Sequence, residues 1–205
     1  GHYDAVIAGG VESMSRTPMG ASLANGGNPY PANFKSRYTR TPNQGIGAEM
    51  MAEKWGLTRT MLDQFSLDSH EKAGKAQSSG AFDDQIVGIK DADGNMVLKD
   101  EGIRLGTTLE KMAALKTVFK EDGVIHAGNS SQISDGSGAL LFMSAEKAKS
   151  LGLKPIARVH TACLAGADPV MMLSAPIPAT QKALQRSGLS VDDIGVFEVN
   201  EAFAP

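Results

Sequence analysis

The chain has 205 residues, with 20 Lys and Arg against 23 Asp and Glu for a formal net charge of −3; that balance argues against a nucleic-acid or anionic-membrane surface. Its length allows one large domain or two small ones, with enough apolar residues for a core. The single cysteine excludes an intramolecular disulfide and suits a reducing compartment. The four histidines lack metal-site spacing, and no apolar run is long enough for a membrane span.

Residue 1 is Gly rather than Met, and the text runs at once into Asp4-Ala5-Val6-Ile7-Ala8-Gly9-Gly10, a buried-strand pattern ending at a glycine turn. The last line halts at VFEVNEAFAP, where a site-like stretch begins, so we expect both ends to be cut from something longer. Residues 15–44 are rich in Gly, Pro, Asn and Ser, including NGGNPYPAN at 25–33, which is the composition of a functional or mobile loop. Ile46, Met50, Met51 and Trp55 then recur at helical spacing until Gly56 stops the run. Thr58 is placed to cap a second helix with Leu62, Phe65, Ser69, Ala73 and Ala76 along one face. The two read as a helical hairpin.

Two short strands are expected around Asp93-Gly94, a dipeptide that readily takes positive φ. Residues 107–122 read as a partly helical connector. Ala139-Leu140-Leu141-Phe142-Met143 is a second buried-strand pattern, followed by a helix over 145–151 that Gly152 closes. A strand over 156–164, a helix over 178–187 ending at Gly188, and a strand over 194–199 complete the chain. Strands alternating with helices imply an α/β protein with layered sheets. Val6 to Ala8, Leu140 to Met143 and the two later strands are expected to be buried, with residues 15–130 forming a separate lobe.

Three stretches invite a chemical reading. Asn200 follows an apolar strand pattern, where ligand groups of α/β folds collect; it is expected either to cap a helix or to hold a water aimed at a developing oxyanion, and capping is the commoner use. HAGNSSQISDGSGALLFMS at 126–144 sets small and hydroxyl residues before a strand, suiting either close approach of a ligand or a tight turn against a sheet. Cys163 lies in an apolar run with no nearby His or acid, the setting of a buried, inert thiol. Met50, Met51, Met171 and Met172 read as packing. None of His2, His70, His126 and His160 is convincing as a base.

Four passages in order resemble the thiolase family, the acyl-CoA acetyltransferases. AVIAGGVESMSRTP is similar to a family strand ending in GG-x-E-x-M-S. HAGNSSQISDGSGALLFMS is similar to the family passage T-A-G-N-A-S-G-x-N-D-G-A-A-A. GADPVMMLSAPIPATQKAL is similar to G-x-D-P-x-x-M-G-x-G-P-x-P-A, and NEAFA matches the family box letter for letter.

The resemblance implies a thiolase-like layered αβαβα architecture, incomplete here, with an inserted loop domain. Residues 1–14 and 133–152 then belong to the N-terminal thiolase domain, 15–132 to the loop domain that binds coenzyme A, and 153–205 to the start of the C-terminal domain. It implies that Asn200 holds the oxyanion-hole water. Arg104 falls beside the adenine and ribose-phosphate end of coenzyme A, Ser131 near the pantetheine arm with Ala127 and Ile133 lining the tunnel, and Phe203 at the acyl pocket. Asn43-Gln44-Gly45 stands where short-chain members carry H-M-G, which favours a longer or bulkier 3-ketoacyl group.

The family's nucleophilic Cys and base His have no counterpart in these residues. The 205-residue piece alone is therefore expected to be inactive, while a full-length parent forms or cleaves 3-ketoacyl-CoA through an acyl-cysteine in fatty-acid metabolism. The resemblance further implies acyl-CoA and CoA as partners, no cofactor other than coenzyme A as substrate or product, no metal, a homodimer or tetramer, and a cytoplasmic location. The alternative is a truncated, non-catalytic relative that keeps only coenzyme A or lipid contacts.

Overall fold

The computed structural model describes residues 3–38 and 41–205; His2 lies outside them. In chain order the elements are β1 (Ala5–Glu12), α1 (Ala32–Arg37), α2 (Gln44–Trp55), α3 (Arg59–Ser78), β2 (Ile89–Lys90), β3 (Met96–Val97), α4 (Leu109–Ala113), β4 (Gly136–Met143), α5 (Ala145–Ser150) and α6 (Pro176–Ser187). The chain divides into two compact units. Residues 1–41, 133–165 and 176–196 make a ribbon unit, and residues 42–132, 166–175 and 197–205 make a helical unit.

In the ribbon unit β1 and β4 pair antiparallel, from Ala5 opposite Met143 to Glu12 opposite Gly136. The open end is fastened by Ser15, whose N–H donates to Asp135 Oδ1 at 2.9 Å and whose hydroxyl donates to Asp135 Oδ2. Ser144 caps α5 by accepting from the Lys147 N–H at 3.1 Å, and Gly152 follows its end at φ 66°. Gly188, at φ 72°, follows α6.

The burial expected for this ribbon does not occur. Every residue of β1 is exposed, and Ile7 and Leu140 are 76% and 65% accessible. An apolar run without alternation is written for a strand covered on both faces, whereas this sheet has two strands and neither face is covered. Residues 156–164 and 194–199 form no strand. Extended backbone becomes a strand only where a neighbour offers its N–H and C=O groups, and among the described residues no such ladder partner is present for them.

The helical unit is built on the α2–α3 hairpin. The Asn43 side chain accepts from the Ile46 N–H at 3.1 Å to start α2, and Gly56 ends it at φ 64°. Thr58 then caps α3 by accepting from the Met61 N–H at 3.3 Å. Ala48, Ala52, Leu62 and Ile125 form the core, with Leu57, Phe119, Val124, Leu173, Phe203 and Ala204 packed against it. The inward face of α3 differs from the expected one: Leu62, Asp63 and Gly74 are buried, whereas Phe65 is 45% exposed. The reason is what α3 meets. Ser69, His70 and Gln77 each hydrogen-bond a loop, so small and polar side chains face inward. The β2–β3 hairpin forms around Asp91, whose carboxylate accepts the N–H groups of Asp93 and Asn95 at 2.9 and 2.8 Å.

Candidate functional site

The interior of the helical unit carries an unusual density of polar groups. Asp63 sits one turn into α3, where Arg59 Nε reaches its Oδ2 at 3.1 Å. Its Oδ1 meets His126 Nε2 at 2.7 Å and accepts from Asn129 Nδ2 at 3.1 Å. His126 is fully buried, and its Nδ1 accepts from the Gly128 N–H at 3.0 Å. With both ring nitrogens engaged, His126 has no free lone pair for use as a base. Glu49 of α2, also buried, accepts the N–H of Ile125 at 2.9 Å and that of Val124 on both oxygens. A buried carboxylate is retained where such donors replace its water. These two acids fasten residues 124–129 to the helical hairpin.

That fastened segment carries the predicted site residues outward. Ala127 is exposed in a 3-10 turn spanning Ala127–Asn129. Beyond it the chain pairs with the NEAFA box. The Ser131 N–H donates to the Ala202 carbonyl at 2.9 Å, the Ala204 N–H donates to the Asn129 carbonyl at 3.0 Å, and Ser130 bridges Phe203. Phe203 meets Phe119 edge to face, with ring centroids 5.9 Å apart. Gly45, of the Asn43-Gln44-Gly45 stretch, lies against the Phe119 ring so closely that any Cβ would collide with it.

Arg104 reaches the same region from a third loop. Its backbone N–H donates to His70 Nδ1 at 3.3 Å, while the preceding Gly102 carbonyl accepts from Gln132 Nε2 at 2.7 Å. One residue earlier on α3, the Ser69 hydroxyl donates to Glu201 at 2.9 Å. Thus α3 ties the Arg104 loop and the Asn200-Glu201 loop to neighbouring positions, leaving the Arg104 and Asn200 side chains exposed. No helix begins at Asn200, so the capping role fails. The Ala204 N–H, which would close the first turn of a helix capped by Asn200, donates instead to the Asn129 carbonyl. Ile133, 67% exposed, belongs to the ribbon unit and not with the other five.

Two family models match in succession: "Thiolase, N-terminal domain" over residues 1–146 and "Thiolase, C-terminal domain" over residues 153–205. The chain belongs to the thiolase family. It is 42% identical to a 3-ketoacyl-CoA thiolase of Marinobacter nauticus over 209 residues, covering 100% of this chain and 52% of that protein. A 3-ketoacyl-CoA thiolase of Idiomarina loihiensis is 43% identical, again over 100% of this chain and 53% of the relative. Among solved structures, acetyl-CoA acetyltransferase from Syntrophomonas wolfei superposes with a TM-score of 0.81 at 34% identity, over 99% of this chain and 53% of that one. Human mitochondrial 3-ketoacyl-CoA thiolase superposes with a TM-score of 0.80 at 33% identity, over 98% and 54%. The fold is therefore the thiolase-like α/β fold, and the chain spans about half the length of the curated relatives it matches.

Within this thiolase sequence Cys163 is half-buried and its thiol donates to the Ala179 carbonyl at 3.2 Å, in irregular chain instead of the expected strand. Among the described residues no group of three His, Cys, Asp or Glu could hold a metal ion, and no helix is long and apolar enough to cross a membrane. The residues overlooked in the sequence are Glu49, Asp63 and Asn129, together with the role of His126. Arg59 and Asp63 at i, i+4 carry the one legible signal, a charged pair on a helix face.

Proposed function

We propose that the protein acts as a 3-ketoacyl-CoA thiolase, an acetyl-CoA C-acyltransferase working through an acyl-cysteine intermediate on fatty-acid-derived substrates. The supporting observation is the pairing of the NEAFA box with the AGNSS segment, which sets the family's two most recognisable passages side by side. On this reading coenzyme A runs along the exposed face bearing Arg104, Ala127 and Ser131, with Phe203 at the acyl end; the part given to Ile133 rests on the family resemblance alone. The Arg104 guanidinium suits a phosphate and an adenine face. Asn200 holds a water aimed at the thioester oxygen as negative charge grows on it, a contact typically worth a few kcal/mol of barrier. The reading needs no cofactor beyond coenzyme A itself. It extends to a homodimer or tetramer in the cytoplasm, with substrates longer or bulkier than acetoacetyl-CoA.

The test is made on the protein at its full natural length. Incubation with acetyl-CoA should add one acetyl group to a cysteine, seen as a mass increase of the intact protein. Asn200→Ala should lower kcat strongly while leaving coenzyme A affinity nearly unchanged, because the interaction grows only in the transition state. Arg104→Ala should do the reverse. A full-length protein that binds coenzyme A but never becomes acylated would replace this reading with a non-catalytic binding role.

A further inference from the structure

Asp63, His126 and Asn129 form a buried cluster that the reading above leaves without a task. We propose that Asp63 and His126 are positioning residues: Asp63 sets the tautomer of His126, whose bare Nδ1 then holds the turn at 127–129 and the segment 130–131 in place for coenzyme A. The inference rests on the reading that this face binds coenzyme A.

The hydrogen positions follow from the partners. Asp63 Oδ1, which also accepts from Asn129 Nδ2, meets His126 Nε2 at 2.7 Å, and a neutral ring whose Nδ1 is bare carries its hydrogen on Nε2. A backbone N–H only donates, so Gly128 at 3.0 Å requires a lone pair on Nδ1. His126 thus serves as the cap of the 127–129 turn, and Asn129 returns the favour by accepting the His126 N–H at 2.9 Å. Asp63 is itself held by Arg59, whose terminal nitrogen donates to the Met112 and Leu115 carbonyls at 2.7 and 2.9 Å. On the side away from the cluster Ala127 and Ser131 are exposed. A buried bond therefore governs the order of a surface-presenting turn, and the pairing of 129–131 with 202–204 carries that order to the NEAFA box.

A purely structural cluster would act only through stability, and two substitutions separate the roles. His126→Asn places an amide oxygen where Nδ1 stood, keeping the acceptor for Gly128 while losing the donor to Asp63. His126→Phe loses both. Both variants should melt lower than the natural protein. Only His126→Phe should weaken coenzyme A binding, by about five- to tenfold, and speed amide exchange at Gly128, whereas His126→Asn should stay within about twofold. Equal weakening in both, in step with the loss in Tm, overturns the proposal.

The ring nitrogen spectrum of the natural protein needs no variant. A bare Nδ1 with a protonated Nε2 is expected, and a protonated Nδ1 overturns the proposal even if neither variant folds. Should the natural protein bind no coenzyme A, the functional reading falls; the ring spectrum and the exchange rates then still decide whether His126 orders the turn.

Discussion

In the helical unit Ala48 and Ile125 are closed off from solvent, whereas in the ribbon unit Ile7 is 76% and Leu140 65% exposed, although the surrounding text is at least as apolar in the ribbon. The helical unit brings a hairpin of two helices, the segment 124–129 and the NEAFA box onto one core, and it fixes 124–129 with Glu49 on two backbone N–H groups and Asp63 on the His126 and Asn129 side chains. The ribbon unit has one pair of strands, with local clamps at Ser15 and at Ser144. Apolar composition states a demand for burial. Whether the demand is met depends on what else the chain can fold back onto it.

The largest test of that contrast is a matched pair of truncations. Ile125→Ala should destabilise the chain by about 2–5 kcal/mol in chemical denaturation, since a fully buried side chain leaves a cavity. Ile7→Ala in the exposed ribbon should change stability by less than about 0.5 kcal/mol. Equal losses at the two sites would show that the ribbon is covered in solution, and the contrast would fail.

Glu49→Gln probes how much of the helical unit depends on its polar anchors. Its carboxylate holds two backbone N–H groups in the interior, and hydrogen bonds to a charged group contribute about 1.5–3 kcal/mol. A loss near 2 kcal/mol is expected, with faster amide exchange at Val124 and Ile125. Unchanged exchange at those two amides would place the anchor elsewhere. Thr58→Ala, which removes the α3 cap, should cost about 1 kcal/mol by the same denaturation assay.

The smallest effect lies in the ribbon. The Ser15 hydroxyl, then its N–H, holds the Asp135 carboxyl below the usual aspartate value of 3.8. A depressed carboxyl adds order above its unfolded value and loses that contribution as pH falls through the folded one. Protection of the Ser15 amide should therefore hold from neutral pH down to about 4 and decline only in stronger acid. A protection profile that declines between pH 7 and 5 would assign the clamp to another group.

Much of this protein was legible as text. The Thr58 cap before α3, the stops Gly56, Gly152 and Gly188, and the Asp93-Gly94 turn are local chemistry, decided within a few residues. The order of the four family passages was equally plain, because it is a property of the string. Tertiary structure alone decided the rest. Residues 156–164 and 194–199 read as strands and are not, since a ladder needs a neighbour that no local pattern can supply. Asn200 loses its helix because residues 202 and 204 pair with residues more than 70 positions earlier in the chain. His126 looked like a stray histidine until α3 set Asp63 against its ring, across 63 residues of sequence. Burial and hydrogen-bond partnership are pair properties, and the second member of each pair lies too far along the chain to be read from the first.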